Sequence, residues 1–364
     1  MLLQGGKVLN EQFEWEEKDV LIGEGKIEAL LAPGTGGRDC VDVSGLLILP
    51  GLVDTHIHGA DGTDTLDGDF EPISKFLIRH GVTSFLPTTT TTSVQQINKT
   101  LHADRKVSGA QILGFHLEGP YLNAAYKGAQ NEIYLKQPDW EDFDDYSHVK
   151  MMTVAPEIPG ALEYIRQASQ KFTIALGHSD CTYETAVQAM EAGASSVTHL
   201  CNGMKGLHHR QPNLLGAGLE QKGCYTQVIA DGIHIHPGML RLIYQCKGPD
   251  RMTLISDSMS AAGLPDGTYD LGGQAVFVKE GVARIDAGNL AGSTTNLWDC
   301  VKLLERIGIP FEDGVKMASL TPARMIGAAH KGAVGAGFDA DLLLTDQNRN
   351  IHRVMVGGQW ADIS

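Results

Sequence analysis

Eight short apolar runs, most of them separated by stretches of helical character, leave this chain very few architectures. The runs cover residues 52–54, 83–86, 111–117, 149–154, 172–176, 196–198, 225–229 and 252–255, and helical spacers read over 70–80, 93–106, 161–170, 183–191 and 237–244. Apolar strands that alternate with amphipathic helices are buried on both faces and pair in parallel, so eight in succession predict an α/β fold of the (β/α)8 barrel type. With 364 residues, 42% of them apolar, the chain has material for such a core and a smaller appendage.

The two ends supply the appendage. Short strands separated by glycines read over 2–4, 7–9, 19–23, 26–30 and 40–43, and again over 340–346 and 353–358. Their similarity predicts one small β-sandwich domain built from residues 1–50 plus 331–364, with the barrel over 51–330.

A barrel assembles its active site from the loops at the C-terminal ends of its strands, so the residues that end each run matter most. The first run ends Asp54-Thr55-His56-Ile57-His58-Gly59. Alternate residues of a strand share a face, which presents His56 and His58 together at a spacing suited to one metal ion. Later runs end in Glu118, His178, His199, the Asp231–His234 segment and Asp257. Taken singly, Glu118 reads equally well as part of a capped turn, His178 as a helix N-terminal residue and Asp257 as a structural acceptor. Taken together they are hard to explain by packing, because ionisable groups at a barrel rim are costly to bury unless paired or bound to metal.

Charge and cysteine content narrow the partners. A formal charge of −15 argues against nucleic acid and anionic membranes, both of which need a basic face, so an anionic substrate must meet local cations. The six cysteines are scattered without a Cys-x-x-Cys pair, which predicts a reduced, cytoplasmic setting. The N-terminus lacks the pattern of a signal peptide, and no apolar run approaches the ~18 residues of a membrane span.

Longer motifs are more specific than any single residue. They are Pro50-Gly51-Leu52-Val53-Asp54-Thr55-His56-Ile57-His58-Gly59, His116-Leu117-Glu118-Gly119-Pro120, Lys127-Gly128-Ala129, Gly177-His178-Ser179, Thr198-His199-Leu200-Cys201-Asn202-Gly203-Met204, Asp231-Gly232-Ile233-His234, Ser256-Asp257 and Leu290-Ala291-Gly292-Ser293. On these, over nearly its whole length, the chain resembles the amidohydrolase superfamily and, within it, the N-acetylglucosamine-6-phosphate deacetylases.

That resemblance implies a full set of roles. Glu118, His178 and His199 would ligate a principal divalent metal, most simply Zn2+, with Fe2+ or another ion accepted by the same donors. His56 and His58 would add a second site that only some members keep, giving one or two ions per subunit. A bound ion lowers the pKa of its water and polarises a carbonyl. Asp257 would carry the proton from water to the departing amine as general base and then acid. Ala129, Asn202, Gly203, Leu290 and Ala291 match sugar-contacting positions. Arg210 and His234 match phosphate contacts, one of which comes from the neighbouring subunit in relatives, so a homodimer acting on a small amino sugar phosphate is implied.

Departures and rivals bound the expectation. Gln130 stands where many relatives carry His after Lys-Gly-Ala, and Asn202-Gly203-Met204 and Ser256-Asp257-Ser258 replace the commoner Asn-Ala-Met and Ser-Asp-Ala. A deacetylase of the galactosamine epimer would use the same residues. An enzyme opening cyclic amides would carry a modified Lys at the end of the fourth run, where this chain has Ala155-Pro156-Glu157, and a deaminase would want Glu after the fifth, where it has Gly177-His178-Ser179. The threonine run 88–92 reads as strand edge or loop, 139–145 as a solvated acidic stretch, and His148, His330 and His352 as ordinary surface or domain-contact residues.

Overall fold

The computed structural model describes residues 1–37 and 39–363. Eight parallel strands form a barrel in chain order: Leu52–Ile57, Val82–Thr89, Phe115–Glu118, Val149–Val154, Thr173–Leu176, Ser196–Val197, Tyr225–Val228 and Met252–Leu254. The seam between eighth and first strands is held just past the last one, where Asp257 N donates to His56 O at 2.9 Å and His58 N to Ser258 O at 2.8 Å. Those two bonds tie the proposed general base to the His-x-His run before any side chain is considered.

The strands begin where the apolar runs predict, with informative exceptions. The third breaks into Gln111–Ile112 and Phe115–Glu118 at Gly114, whose φ is +147°; a Cβ there would lie 2.6 Å from His148 O, so only glycine permits the break. The second runs on to Thr89 and takes in the start of the threonine run.

Helices Glu71–Arg79, Val94–Leu101, Ala161–Ala168, Tyr183–Glu191 and Pro237–Lys247 fall where the spacers predict them. Ser93 and Thr182 cap two of them by accepting from Gln96 N and Thr185 N, which satisfies donors the helix start leaves free. A further helix, Asn213–Glu220, was masked in the sequence by Gly216 and Gly218, poor helix formers. At Gly218 a Cβ would sit 2.9 Å from Leu200 and 3.2 Å from Val197, so glycine lets this helix pack close to the sixth strand.

Two unexpected features follow the eighth strand. A three-stranded antiparallel sheet, Gly267–Leu271, Gln274–Lys279 and Val282–Ile285, returns to the barrel mouth, and helices Leu297–Arg306, Phe311–Ala318 and Leu320–Met325 complete the wall.

The chain termini meet in two sheets. One orders Gln359–Trp360, Ile351–Val356, Leu342–Thr345, Leu47–Pro50, Lys7–Leu9 and Trp15–Glu17; the other Lys26–Leu31, Asp19–Gly23, Leu2–Gln4 and Cys40–Asp42. Antiparallel pairing of Leu47–Pro50 with Leu342–Thr345 joins the two ends of the chain. Leu3, Val8, Val20, Ile27, Ile48 and Leu344 cluster in a shared core, each worth roughly 1.5–3 kcal/mol by burial. Among the described residues no helix is long and apolar enough to cross a membrane.

Candidate metal centre

The donors sit on backbone that the barrel bends on purpose. His178, His199 and Asp257 follow strands five, six and eight with φ of +47°, +27° and +49°, a left-handed conformation that costs a non-glycine residue about 1–3 kcal/mol. The turn swings each side chain over the mouth. Hydrogen bonds hold it there: Asn123 N donates to His178 O at 3.0 Å, Asn202 N to His199 O at 2.9 Å, and Ser293 N to Asp257 O at 2.7 Å.

Six side chains converge, all buried. Glu118 Oε1 lies 3.2 Å from His178 Nε2 and 3.0 Å from His199 Nε2, and those two nitrogens are 3.1 Å apart. Beside them, His56 Nε2 and His58 Nε2 are 3.2 Å apart, and Asp257 Oδ1 is 3.3 Å and 3.2 Å from them. Glu118 links the two groups, its Oε2 lying 3.2 Å from His58 Nε2.

Hydrogen-bond partners fix what these atoms present. His58 Nδ1 faces Thr88 O at 3.1 Å, His178 Nδ1 faces Tyr126 O at 2.8 Å, and His199 Nδ1 faces Asn202 O at 3.1 Å. A carbonyl only accepts, so each Nδ1 carries the hydrogen and each ring turns its Nε2 inward, free to bind a proton or a metal. Three ring nitrogens and two carboxylates then face one another, and the neutral donor that reaches them is Gln130 Nε2, against Glu118 Oε2. Such a set is stable around cations and little else, which is how the donors fit divalent metal.

The electrostatics agree. Burial disfavours the His58 cation, yet its bonds to Asp257 and Glu118 outweigh burial and hold its pKa well above the ordinary value; His178 is raised as well, with Glu118 overcoming burial. Burial also works against the Glu118 and Asp257 carboxylates, but the surrounding histidines, His56 first, keep both pKa values low. The cluster thus attracts positive charge from several sides.

A cavity of about 380 Å³ opens onto this centre. It is lined by His58, Glu118, His178, His199 and Asp257, and by the expected sugar- and phosphate-contact positions Ala129, Asn202, Gly203, Leu290 and His234. Ala291 is fully buried and does not line it. Arg210 is exposed, does not line the cavity, and its guanidinium lies 2.8 Å from His209 Nε2. Gly203 has φ +58°, and a Cβ there would come within 3.1 Å of His178 and 3.3 Å of His199, so a larger residue would require the rings to shift by a few tenths of an ångström.

Several residues of the site were not expected from the sequence. Thr88, assigned no special role as part of a strand edge, orients His58 through its carbonyl and accepts from Ile57 N through its hydroxyl. His116 packs edge-on against His56 with ring centroids 4.6 Å apart, bonded to Thr153 at 2.8 Å; burial, then the His56 charge, holds its pKa well below normal, so it stays neutral. Asp231 Oδ2 holds His234 Nδ1 at 2.7 Å. Leu271, from the unexpected sheet, forms part of the cavity wall, and Gln274 Nε2 donates to Ala129 O beside it. Asp231 was named with His234 at the end of the seventh run, and what the sequence did not assign was its role as the partner of that histidine.

Comparison with known proteins places this arrangement. Residues 47–361 match the amidohydrolase family. The chain is 37% identical over 365 residues to N-acetylglucosamine-6-phosphate deacetylase of Vibrio furnissii, covering 95% of this chain and 91% of that one. It is 35% identical to N-acetylgalactosamine-6-phosphate deacetylase of Escherichia coli O157:H7, covering 99% of each. Among solved structures it is similar to a mutant N-acetyl-D-glucosamine-6-phosphate deacetylase from Mycobacterium smegmatis in complex with N-acetyl-D-glucosamine-6-phosphate. The TM-score is 0.91 at 30% identity, with 99% of this chain and 98% of the other covered. With the buried donor set, the barrel and these likenesses in agreement, the chain belongs to the amidohydrolase family.

Proposed function

We propose that this protein hydrolyses the acetamide of N-acetylglucosamine 6-phosphate, releasing acetate and glucosamine 6-phosphate. The observation that carries the reading is the pair of converging donor groups, Glu118/His178/His199 and His56/His58/Asp257, at the base of a cavity open to a small molecule. The likeness to deacetylases of this substrate class supports it.

Glu118, His178 and His199 hold a divalent ion, with zinc the natural choice for nitrogen and oxygen donors, and His56 and His58 take part in a second position. When bound, the metal supplies Lewis acidity toward the acetamide carbonyl and the attacking water. Asp257, kept ionised by its histidine neighbours, accepts the proton of that water at Oδ1 and returns it to the amine nitrogen, which leaves only when protonated. The buried walls exclude bulk water and keep the carboxylate's field unscreened. His234, steadied by Asp231, binds the 6-phosphate; Ala129, Asn202, Gly203 and Leu290 shape the sugar site, with Ala291 buried behind them.

Arg210 points to a homodimer. Exposed and outside its own cavity, it is suited to the phosphate of a partner subunit. All six cysteines are free, in keeping with a cytoplasmic enzyme.

Acetate release from N-acetylglucosamine 6-phosphate by the metal-loaded protein tests the reading, with the galactosamine epimer run in parallel. A kcat/KM at least tenfold higher on the gluco substrate supports it. Preference for the galacto epimer transfers the assignment to that sugar, and turnover of a cyclic amide with neither sugar accepted overturns it.

A further inference from the structure

We infer that Gln130 is a positioning residue for the metal centre, holding the Glu118 carboxylate in the one orientation that serves His178 and His199. The inference rests on Glu118 acting as a ligand.

Gln130 is buried beside the cavity, twelve residues after Glu118, on the loop that follows the third strand. Its Oε1 accepts from Thr91 N at 2.6 Å. A backbone N–H only donates, so that contact decides which end of the amide is oxygen. The Nε2 end is thereby committed to donate, and it meets Glu118 Oε2 at 2.5 Å. The amide is thus strung between a fixed backbone donor and one particular carboxylate oxygen.

The consequence falls on the other oxygen. With Oε2 engaged by Gln130, Oε1 is left at 3.2 Å and 3.0 Å from His178 and His199. Rotation of the carboxylate about its terminal bond would break a bond to a buried neutral donor and leave the Gln130 amide unsatisfied, a cost of roughly 1–3 kcal/mol. Being neutral, Gln130 orients Glu118 without neutralising it, and the full negative charge remains for the metal. Thr91 in turn is anchored by its hydroxyl, which donates to Glu118 O at 3.3 Å, so the backbone of strand three, the threonine loop and Gln130 close one ring around the ligand. This gives the threonine run and the Gln130 departure a common purpose.

The test is the affinity of the purified full-length protein for zinc, measured by competition with a chromophoric chelator, together with the visible spectrum of the cobalt-substituted protein. Gln130→Met keeps the side-chain length and removes both hydrogen bonds. The expected result is a zinc Kd weakened about 10- to 100-fold, the range seen when groups that orient a ligand are removed, with an altered cobalt spectrum and an unchanged far-UV circular dichroism spectrum. Gln130→Glu, which places an acceptor against Glu118 Oε2, is expected to weaken zinc too and serves if the Met variant does not fold. Unchanged affinity and spectrum in either folded variant overturns the inference. Glu118→Gln separates the two levels of the argument: if it leaves zinc affinity intact, the ligand role of Glu118 fails, whereas an effect at Glu118 without one at Gln130 defeats the positioning role alone.

Discussion

The inner end and the outer rim of the cavity are built by opposite rules. Inside, the donors are buried, and three of them are held by atoms from elsewhere in the fold: His58 by Thr88, His178 by Tyr126, Glu118 by Gln130. At the rim, His234 lines the cavity against Asp231, and outside the cavity His208, His209 and Arg210 are exposed, where among the described residues Arg210 bonds to His208 and His209 of its own loop. The inner end is therefore complete within one chain and tolerates almost no change of geometry. The proposed role of the rim is to meet a charged, solvated group, where field strength matters more than tenths of an ångström. Chemistry is fixed by packing, and recognition by placement of charge.

The largest separation between the two regions is expected from His199→Ala. Losing a metal donor costs about 4 kcal/mol or more of transition-state stabilisation, so kcat falls at least ~10³-fold and elemental analysis shows depleted metal. Substitution at the rim should do something different in kind. On the proposed phosphate roles, His234→Ala and Arg210→Ala each remove a charge-assisted contact worth roughly 1.5–3 kcal/mol, raising KM by about 10- to 100-fold with kcat largely kept. Steady-state kinetics distinguish the cases; an equal fall in kcat for Arg210→Ala breaks the division between chemistry and recognition.

Gly203→Ala tests how little slack the inner end has. A methyl group there presses on the rings of His178 and His199 from a left-handed backbone, for a loss of about 1–3 kcal/mol. Zinc affinity and kcat are expected to fall about tenfold together, while KM stays near its original value.

The smallest effect is on stability against pH. Burial raises Asp64, whose carboxylate caps a turn and accepts from Gly272 N of the mouth sheet, to about 6. Its folded pKa exceeds the ordinary 3.8, so between those values the folded state holds more protons than the unfolded one. Stability from this group therefore declines as pH rises from about 4 to 6, by on the order of 1 kcal/mol per unit. Urea unfolding across that range should show a shallower decline in Asp64→Asn than in the parent.

Much of this was written in local sequence, and the remainder depended on distance. Residues 149–154 and 183–191 match Val149–Val154 and Tyr183–Glu191 because an apolar run or an apolar stripe needs no distant partner to be recognised. The six converging donors were legible because each ends a strand, and barrel geometry carries strand ends to one place. Thr88 and Gln130 were not, since their work is done on residues 30 and 12 positions away, through hydrogen bonds that no periodicity encodes. The three-stranded mouth sheet hid behind glycines and an exposed Phe277; the helix Leu297–Arg306 was equally unexpected, although Leu297, Val301 and Leu304 form an apolar stripe on it. Arg210 is the reverse case: its motif position suggested the phosphate site, but its side chain is exposed and does not line the cavity of its own chain.

Asp257→Asn tests the central claim most directly, because it removes the proton carrier and leaves the histidines and Glu118 in place. Acetate release from N-acetylglucosamine 6-phosphate and metal content should be measured on the same preparation. The account expects metal at the Glu118/His178/His199 position to be retained and kcat to drop by about 10²- to 10⁴-fold. A metal-replete Asp257→Asn protein that turns over at the parent rate would contradict it.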